Sequence, residues 1–194
     1  MTYIDLVDIL SSDKPSNIIR CNENAIFSFI PELKRCKGFD QKNEWHVYDV
    51  YEHILHVVDG VWNNDILRLA ALFHDIGKPL SFMEDENGVG HFFGHWDKSN
   101  EIFREFAKKN NLDDNTISVV TKLIFYHDLN FAKYSDDDLK RITEIFSKEE
   151  IEMLYNLKRA DILAQNSKFH DLKLKEYDEQ ENKILSLYGY KTNR

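Results

Sequence analysis

ALFHDIGKPLSF, residues 71–82, closes an apolar run with a histidine and an aspartate side by side, then turns through glycine, lysine and proline. Upstream of the pair, Leu67, Ala70, Ala71 and His74 recur at three- and four-residue steps, the period of one face of an α-helix. The spacing predicts a packed helix that ends at Gly77 as its C-terminal cap, with Pro79 beyond it. A second stripe, Val47, Val50, Ile54, Val57 and Val61, predicts another helix just before it. Residues 80–95, LSFMEDENGVGHFFGH, break this period with Asp85, Glu86, Asn87, Gly88 and Gly90, and read as a short hairpin or irregular loop.

Helical pattern resumes from about Asp97 to Lys109, with Ile102, Phe103 and Phe106 inward, and from about Asp114 to His127, with Val120, Leu123 and Ile124 inward. Capping boxes at Ser135/Asp138 and Ser147/Glu150 mark two more helix starts. A final helix is expected over 171–188, stopped by Gly189. The chain of 194 residues has 7 Gly and 3 Pro and shows no repeat or low-complexity tract, so a single all-α domain spanning 1–194 is expected.

A net charge of -9, from 25 Lys plus Arg against 34 Asp plus Glu, argues against a broad phosphate-gripping surface, and no DNA partner is expected. The N-terminus lacks a signal-peptide pattern, and no stretch approaches the ~20 apolar residues of a membrane span. A cytoplasmic protein without a membrane partner is the expectation. Cys21 and Cys36 lack a CxxC spacing and read as idle thiols rather than a disulfide or zinc half-site.

Adjacent residues on a helix point about 100° apart, so His74 and Asp75 can flank one point only beside the helix, and a metal ion is such a point. His53 within the Val50–Val61 stripe, His127 at the end of an apolar helix, and Asp161 between Leu157 and Leu163 are awkward places for polar groups. Singly, each reads as a hydrogen-bonded core histidine or a solvated aspartate. As a set they read as ligands.

The words VYEHIL, LFHDIGKP and LKRADILAQ, in that order, resemble the HD superfamily of metal-dependent phosphohydrolases. With FIPELKRCKGFDQKNEWHVYDVYEHIL and HFFGHWDKS added, the chain is similar over 29–165 to the HD domain of bacterial tRNA nucleotidyltransferases and related poly(A)-polymerase-like proteins. Nothing in residues 1–28 resembles the nucleotide-binding glycines and paired carboxylates of their catalytic head. The resemblance implies an all-helical bundle in which His53, His74, Asp75 and Asp161 hold one divalent transition-metal ion (Fe, Mn, Ni, Co or Zn). It also implies that His95 and His127 complete a second site bridged by Asp75. The alternative is a mononuclear site whose pocket those two histidines line.

The resemblance further implies hydrolysis of a phosphomonoester or phosphodiester, including a 2′,3′-cyclic phosphodiester, on a nucleotide or an RNA end. Asp75 and Lys78 are the expected catalytic residues, and Lys78, His91 and Arg159 the expected substrate contacts, the two cations as partners for phosphoryl oxygens. His46 and His91 stand ready to donate to a leaving group or to steady a ligand carboxylate. Trp45, Phe92, Phe93 and Trp96 read either as core or as stacking surface for a base. Two other functions remain open from the residues: a metal-containing RNA- or nucleotide-binding module without turnover, and a purely structural metal.

Overall fold

Proline enters helices at their first turn, where its missing N–H costs nothing, and Pro15 and Pro31 do so here. In a computed structural model of the chain, which describes residues 1–188, four short helices come first: α1 (Tyr3–Leu10), α2 (Pro15–Cys21), α3 (Glu23–Phe29) and α4 (Pro31–Cys36). They are followed by α5 (Val50–Gly60), α6 (Asp65–Phe73) and the single turn α7 (Lys78–Ser81). Strands β1 (Met83–Glu84) and β2 (Gly90–His91) form an antiparallel ribbon, with Met83 opposite His91 and Glu84 opposite Gly90. Then come α8 (His95–Lys109), α9 (Asp114–Tyr126), α10 (Asp136–Ile145), α11 (Lys148–Leu163) and α12 (His170–Leu187). The fold is all-α, interrupted among the described residues only by the ribbon at the expected place. Gly189, the expected stop of the last helix, lies outside the described residues.

The helices α5, α6, α9 and α11 pack on one another, with α8 laid against α9 and α12 against α11. Their inward faces supply a buried cluster that includes Tyr51, Phe73, Phe103, Leu123 and Tyr155. Both capping boxes form as the pattern predicts, and a third, Thr2 with Asp5, opens α1. Residues 3–36 carry too short a period to read as helices from sequence, yet fold into four of them. Among the described residues, no helix is long and apolar enough to cross a membrane. Both cysteines are free, Cys21 exposed and Cys36 buried.

Two local expectations are corrected. Val47 lies before α5 and is 58% exposed, because Asp49 caps the helix by accepting from the backbone N–H of Glu52 at 2.7 Å, so the inward stripe begins at Val50. Gly77 does not cap α6, which ends at Phe73. Its φ of −81° is ordinary for any residue, and it introduces α7, with Pro79 inside that next turn rather than stopping the previous one.

Candidate metal centre

The polar residues that sequence singles out converge because helix ends converge. His53 lies mid-helix on the inward face of α5, three residues after Val50 and four before Val57. His74 keeps helical dihedrals as the residue after α6, and Asp75 follows in the turn toward α7. His95 opens α8 behind Gly94, whose φ of +74° is in the region only glycine enters freely. His127 follows the last residue of α9, and Asp161 sits in the last turn of α11. All six are buried.

Each histidine turns its Nδ1 to a backbone carbonyl, which can only accept: His74 to Ala71 at 2.7 Å, His127 to Ile124 at 2.6 Å, His95 to Phe92 at 2.9 Å and His53 to Ala164 at 3.4 Å. The donor hydrogen therefore belongs on Nδ1, and the four Nε2 atoms face inward. They do so in pairs, His53 with His74 and His95 with His127, each pair 3.4 Å apart.

Asp75 stands between the pairs. Its Oδ2 lies 3.2 Å from His53 Nε2 and 3.3 Å from His74 Nε2, and its Oδ1 lies 3.1 Å from His95 Nε2 and 3.6 Å from His127 Nε2. Oδ1 is nevertheless a buried acceptor without a properly aligned hydrogen bond. Asp161 adjoins the first pair, its Oδ1 3.0 Å from His53 Nε2 and held from behind by the Gln165 amide at 3.0 Å. Two sets of ligand-type atoms, His53/His74/Asp75 and Asp75/His95/His127, each gather within 4.8 Å and share the one aspartate.

The electrostatics favour positive charge at this point. Burial works to raise the Asp75 carboxyl, but the charges of His74 and Lys78, and then the adjoining His127 and His53 imidazoles, hold it well below the usual carboxylate range. Burial likewise opposes ionisation of Asp161, and its hydrogen bond and charge interaction with His53 prevail. Burial would depress His53, yet hydrogen bonds to Asp161 and Asp75 lift it to about 9. His127 is raised against burial by Asp75 in the same way, whereas in His74 burial wins and the imidazole is pushed down. Inward imidazole Nε2 atoms, where a cation would displace the extra proton that the carboxylates hold on His53 and His127, together with ionised carboxylates and an orphaned oxygen, are what a divalent cation with N and O ligands requires, so the residues fit the group that the sequence implies.

Lys78 is placed differently from the expectation. It is buried, and its ammonium is spent inside the protein: 2.6 Å from Asp75 Oδ2, 2.8 Å from Gln41 Oε1 and 3.2 Å from His46 Nε2. Three donors meet three acceptors, which makes Lys78 an anchor for Asp75 rather than a free phosphate cation. His46 accepts from Lys78 and donates through Nδ1 to Asn43 Oδ1 at 2.7 Å. Burial, then the Lys78 charge, pushes it down to about 2, so it is a neutral strut.

Arg159 is not brought to the site. Its guanidinium turns onto α12, 2.6 Å from Asp178 Oδ1 and 2.6 Å from Glu181 Oε2, because the position two residues before Asp161 faces away from the inward side of α11. His91 stands on the rim, half-buried, with Nε2 2.9 Å from Asp85 Oδ2. His56 stacks on Tyr48 and His170 bonds the Gln165 carbonyl, both away from the centre.

A cleft of about 660 Å³ opens over Asp75, His95, His127 and Asp161, and Trp45, Phe92, Phe93 and Trp96 line it instead of filling the core. Sequence reading missed Lys158, which also lines the cleft. Lys158 is 1% exposed and donates to the carbonyls of His127 at 2.5 Å and Leu129 at 2.7 Å, tying down the end of α9. Burial lowers its ammonium to about 8. The available signal was its spacing, three residues before Asp161 and so on the same helix face.

An HD domain family model matches residues 45–187. Over 95 residues the chain is 38% identical to a bifunctional uridylyltransferase/uridylyl-removing enzyme of Corynebacterium glutamicum, covering 44% of this chain and 14% of that protein. It is 40% identical over 82 residues to a CC-adding tRNA nucleotidyltransferase of Thermus thermophilus, covering 39% of this chain and 19% of that one. An uncharacterised protein of Clostridium beijerinckii is 28% identical over 129 residues, 59% of this chain and 78% of its own length. The chain thus spans less than a fifth of the length of the two relatives with stated activities.

Proposed function

The chain belongs to the HD domain family, a superfamily of metal-dependent phosphohydrolases, and from that membership we propose that it hydrolyses a phosphomonoester or phosphodiester of a nucleotide or an RNA end, 2′,3′-cyclic phosphodiesters included. His53, His74, Asp75 and Asp161 would hold one divalent ion, and Asp75, His95 and His127 a second. The observation that carries this reading is the division of Asp75 between two histidine pairs, one carboxylate oxygen to each, with all four Nε2 atoms facing it. A purely structural metal is served by a closed cage of four ligands and has no need of a second set opening on a cleft.

Bound there, such ions supply a water acidic enough to be hydroxide near neutral pH and positive charge for the phosphoryl oxygens. The chain's own residues do the rest. The carbonyls of Ala71, Phe92, Ile124 and Ala164 fix the imidazole tautomers, and Lys78, steadied by Gln41 and His46, fixes the rotation of Asp75. His91, which lines the cleft at its rim, would meet the leaving oxygen. Nitrogen and oxygen ligands without thiolate admit Fe, Mn, Ni, Co or Zn.

The test is elemental analysis of purified protein together with a panel of phosphate monoesters, cyclic nucleotides and dinucleotides. One to two transition-metal ions per chain and turnover of at least one ester class are expected, with both lost in His74→Ala and Asp75→Ala. His95→Ala and His127→Ala should lower the stoichiometry toward one. Activity retained in the His74 or Asp75 variant would overturn the assignment, and a nucleotide bound tightly but recovered intact would make the protein a binding module.

A further inference from the structure

The metal-type residues that line the cleft are buried, and the exposed Trp45 and Phe93 rings beside them have no part in the chemistry above. Trp45 is 37% exposed, yet it is held by contacts on its ring and on its backbone. One face of its indole lies on Phe169, with centroids 3.6 Å apart and planes 17° from parallel. The surrounding backbone is pinned to the loop that bears Phe169: Asn166 N–H donates to the Trp45 carbonyl at 2.7 Å, and the Asn166 amide donates to the Glu44 carbonyl at 3.0 Å. Trp45 lines the cleft, whereas Phe169, which covers one face of the indole, does not.

A second ring is braced more loosely, with 5.5 Å between its centroid and that of its neighbour. Phe93 is 71% exposed and lies parallel to His91, 6° between planes, while Asp85 holds His91 by its Nε2. The segments that bear the two rings adjoin, because Gly90 N–H donates to the Lys42 carbonyl at 2.8 Å. Exposed aromatic faces backed by other rings offer no gain to the folded chain alone. They are preorganised for a flat ligand whose ordering cost is thereby reduced. The cleft also falls within the ~300–1,000 Å³ of small-molecule sites, larger than a phosphate group needs.

We infer that the mouth of the cleft is a stacking platform for the base of a nucleoside phosphate, with Trp45 the ring that carries the base and Phe93 a second contact. The phosphate end of such a ligand rests on the phosphohydrolase reading, and the base end rests on the rings alone. Stacking tolerates any base, because every base has a π face, so the platform selects for a base without choosing strongly among bases.

The experiment uses nucleosides, which lack the phosphate and so report on the platform independently of the metal centre. Isothermal titration of the purified protein with adenosine and uridine should show saturable binding, tighter for the purine, and titration with ribose none. Trp45→Ala should weaken adenosine at least tenfold, Phe93→Ala by a smaller factor, and Trp45→Phe, which keeps a ring, by less than threefold, all with unchanged far-UV circular dichroism. Adenosine binding to protein stripped by a chelator should match that of untreated protein, so a failed metal assignment leaves this result standing, and the converse. Adenosine affinity unchanged in Trp45→Ala, or hexanol displacing adenosine as effectively as uridine does, would overturn the inference.

Discussion

Gly77 decides how closely His95 approaches Asp75, and it does so by having no side chain. A Cβ at this position would come within 2.5 Å of the His95 carbonyl oxygen and 2.5 Å of the Ser99 backbone nitrogen, atoms of helix α8 that cannot step aside singly. The Gly77 N–H also donates to Ser99 Oγ at 2.9 Å, closing the same contact. Gly77→Ala must push α8 outward, and overpacking of this kind costs about 1–3 kcal/mol. Urea denaturation should show a fall of that size, and elemental analysis a selective loss of the second ion. An unchanged midpoint would mean that the contact is looser than it stands. Nothing local in the sequence carries this role. The glycine reads as a helix cap, because its true neighbours lie 18 and 22 residues away.

The helices that carry the metal-type side chains are started by short-range chemistry, and this part is legible in one dimension. Asp113 caps α9, the helix that ends at His127, by accepting from the Thr116 backbone N–H at 3.0 Å and the Thr116 hydroxyl at 2.6 Å. Chiefly through the hydroxyl, and then the backbone N–H, its carboxyl is held below its ordinary value of 3.8. A carboxyl lowered on folding stabilises the fold above its unfolded pKa, and that stability is lost as pH falls through the folded value. Asp113→Asn keeps a cap acceptor without the titration. The stability difference between parent and variant should therefore shrink on acidification from neutral pH to about pH 3, as read by urea unfolding at each pH. A constant difference would remove the charge from the account of this cap. The boxes at Ser135 and Ser147 were readable for the same reason, since partner and cap are three residues apart. The short helices α1–α4 were not, because seven or so residues hold barely two turns of apolar period.

In the whole molecule, the metal-type residues hang on a bundle that does not depend on them. The buried cluster runs from Leu6 to Ile184 through chiefly aliphatic and aromatic side chains, with none of the metal-type residues among them. Stripping metal with a chelator should lower Tm, since an ion bound only by the native state stabilises that state, and should leave the far-UV circular dichroism of a helical protein intact below the transition. Collapse of the helical signal on chelation would instead make the metal structural. The all-α class, the break over 80–95 and the chemical type of the candidate ligand residues were legible in the sequence, because periodicity, turn chemistry and side-chain type are local properties. Other features emerged only in three dimensions: the splitting of Asp75 between two histidine pairs, the exhaustion of the Lys78 donors, the turning of Arg159 onto α12 and the bracing of Trp45 by Phe169. Each is a contact between groups on separate elements, or a choice among partners that only packing supplies, and helical period records which face a residue occupies but not what that face will meet.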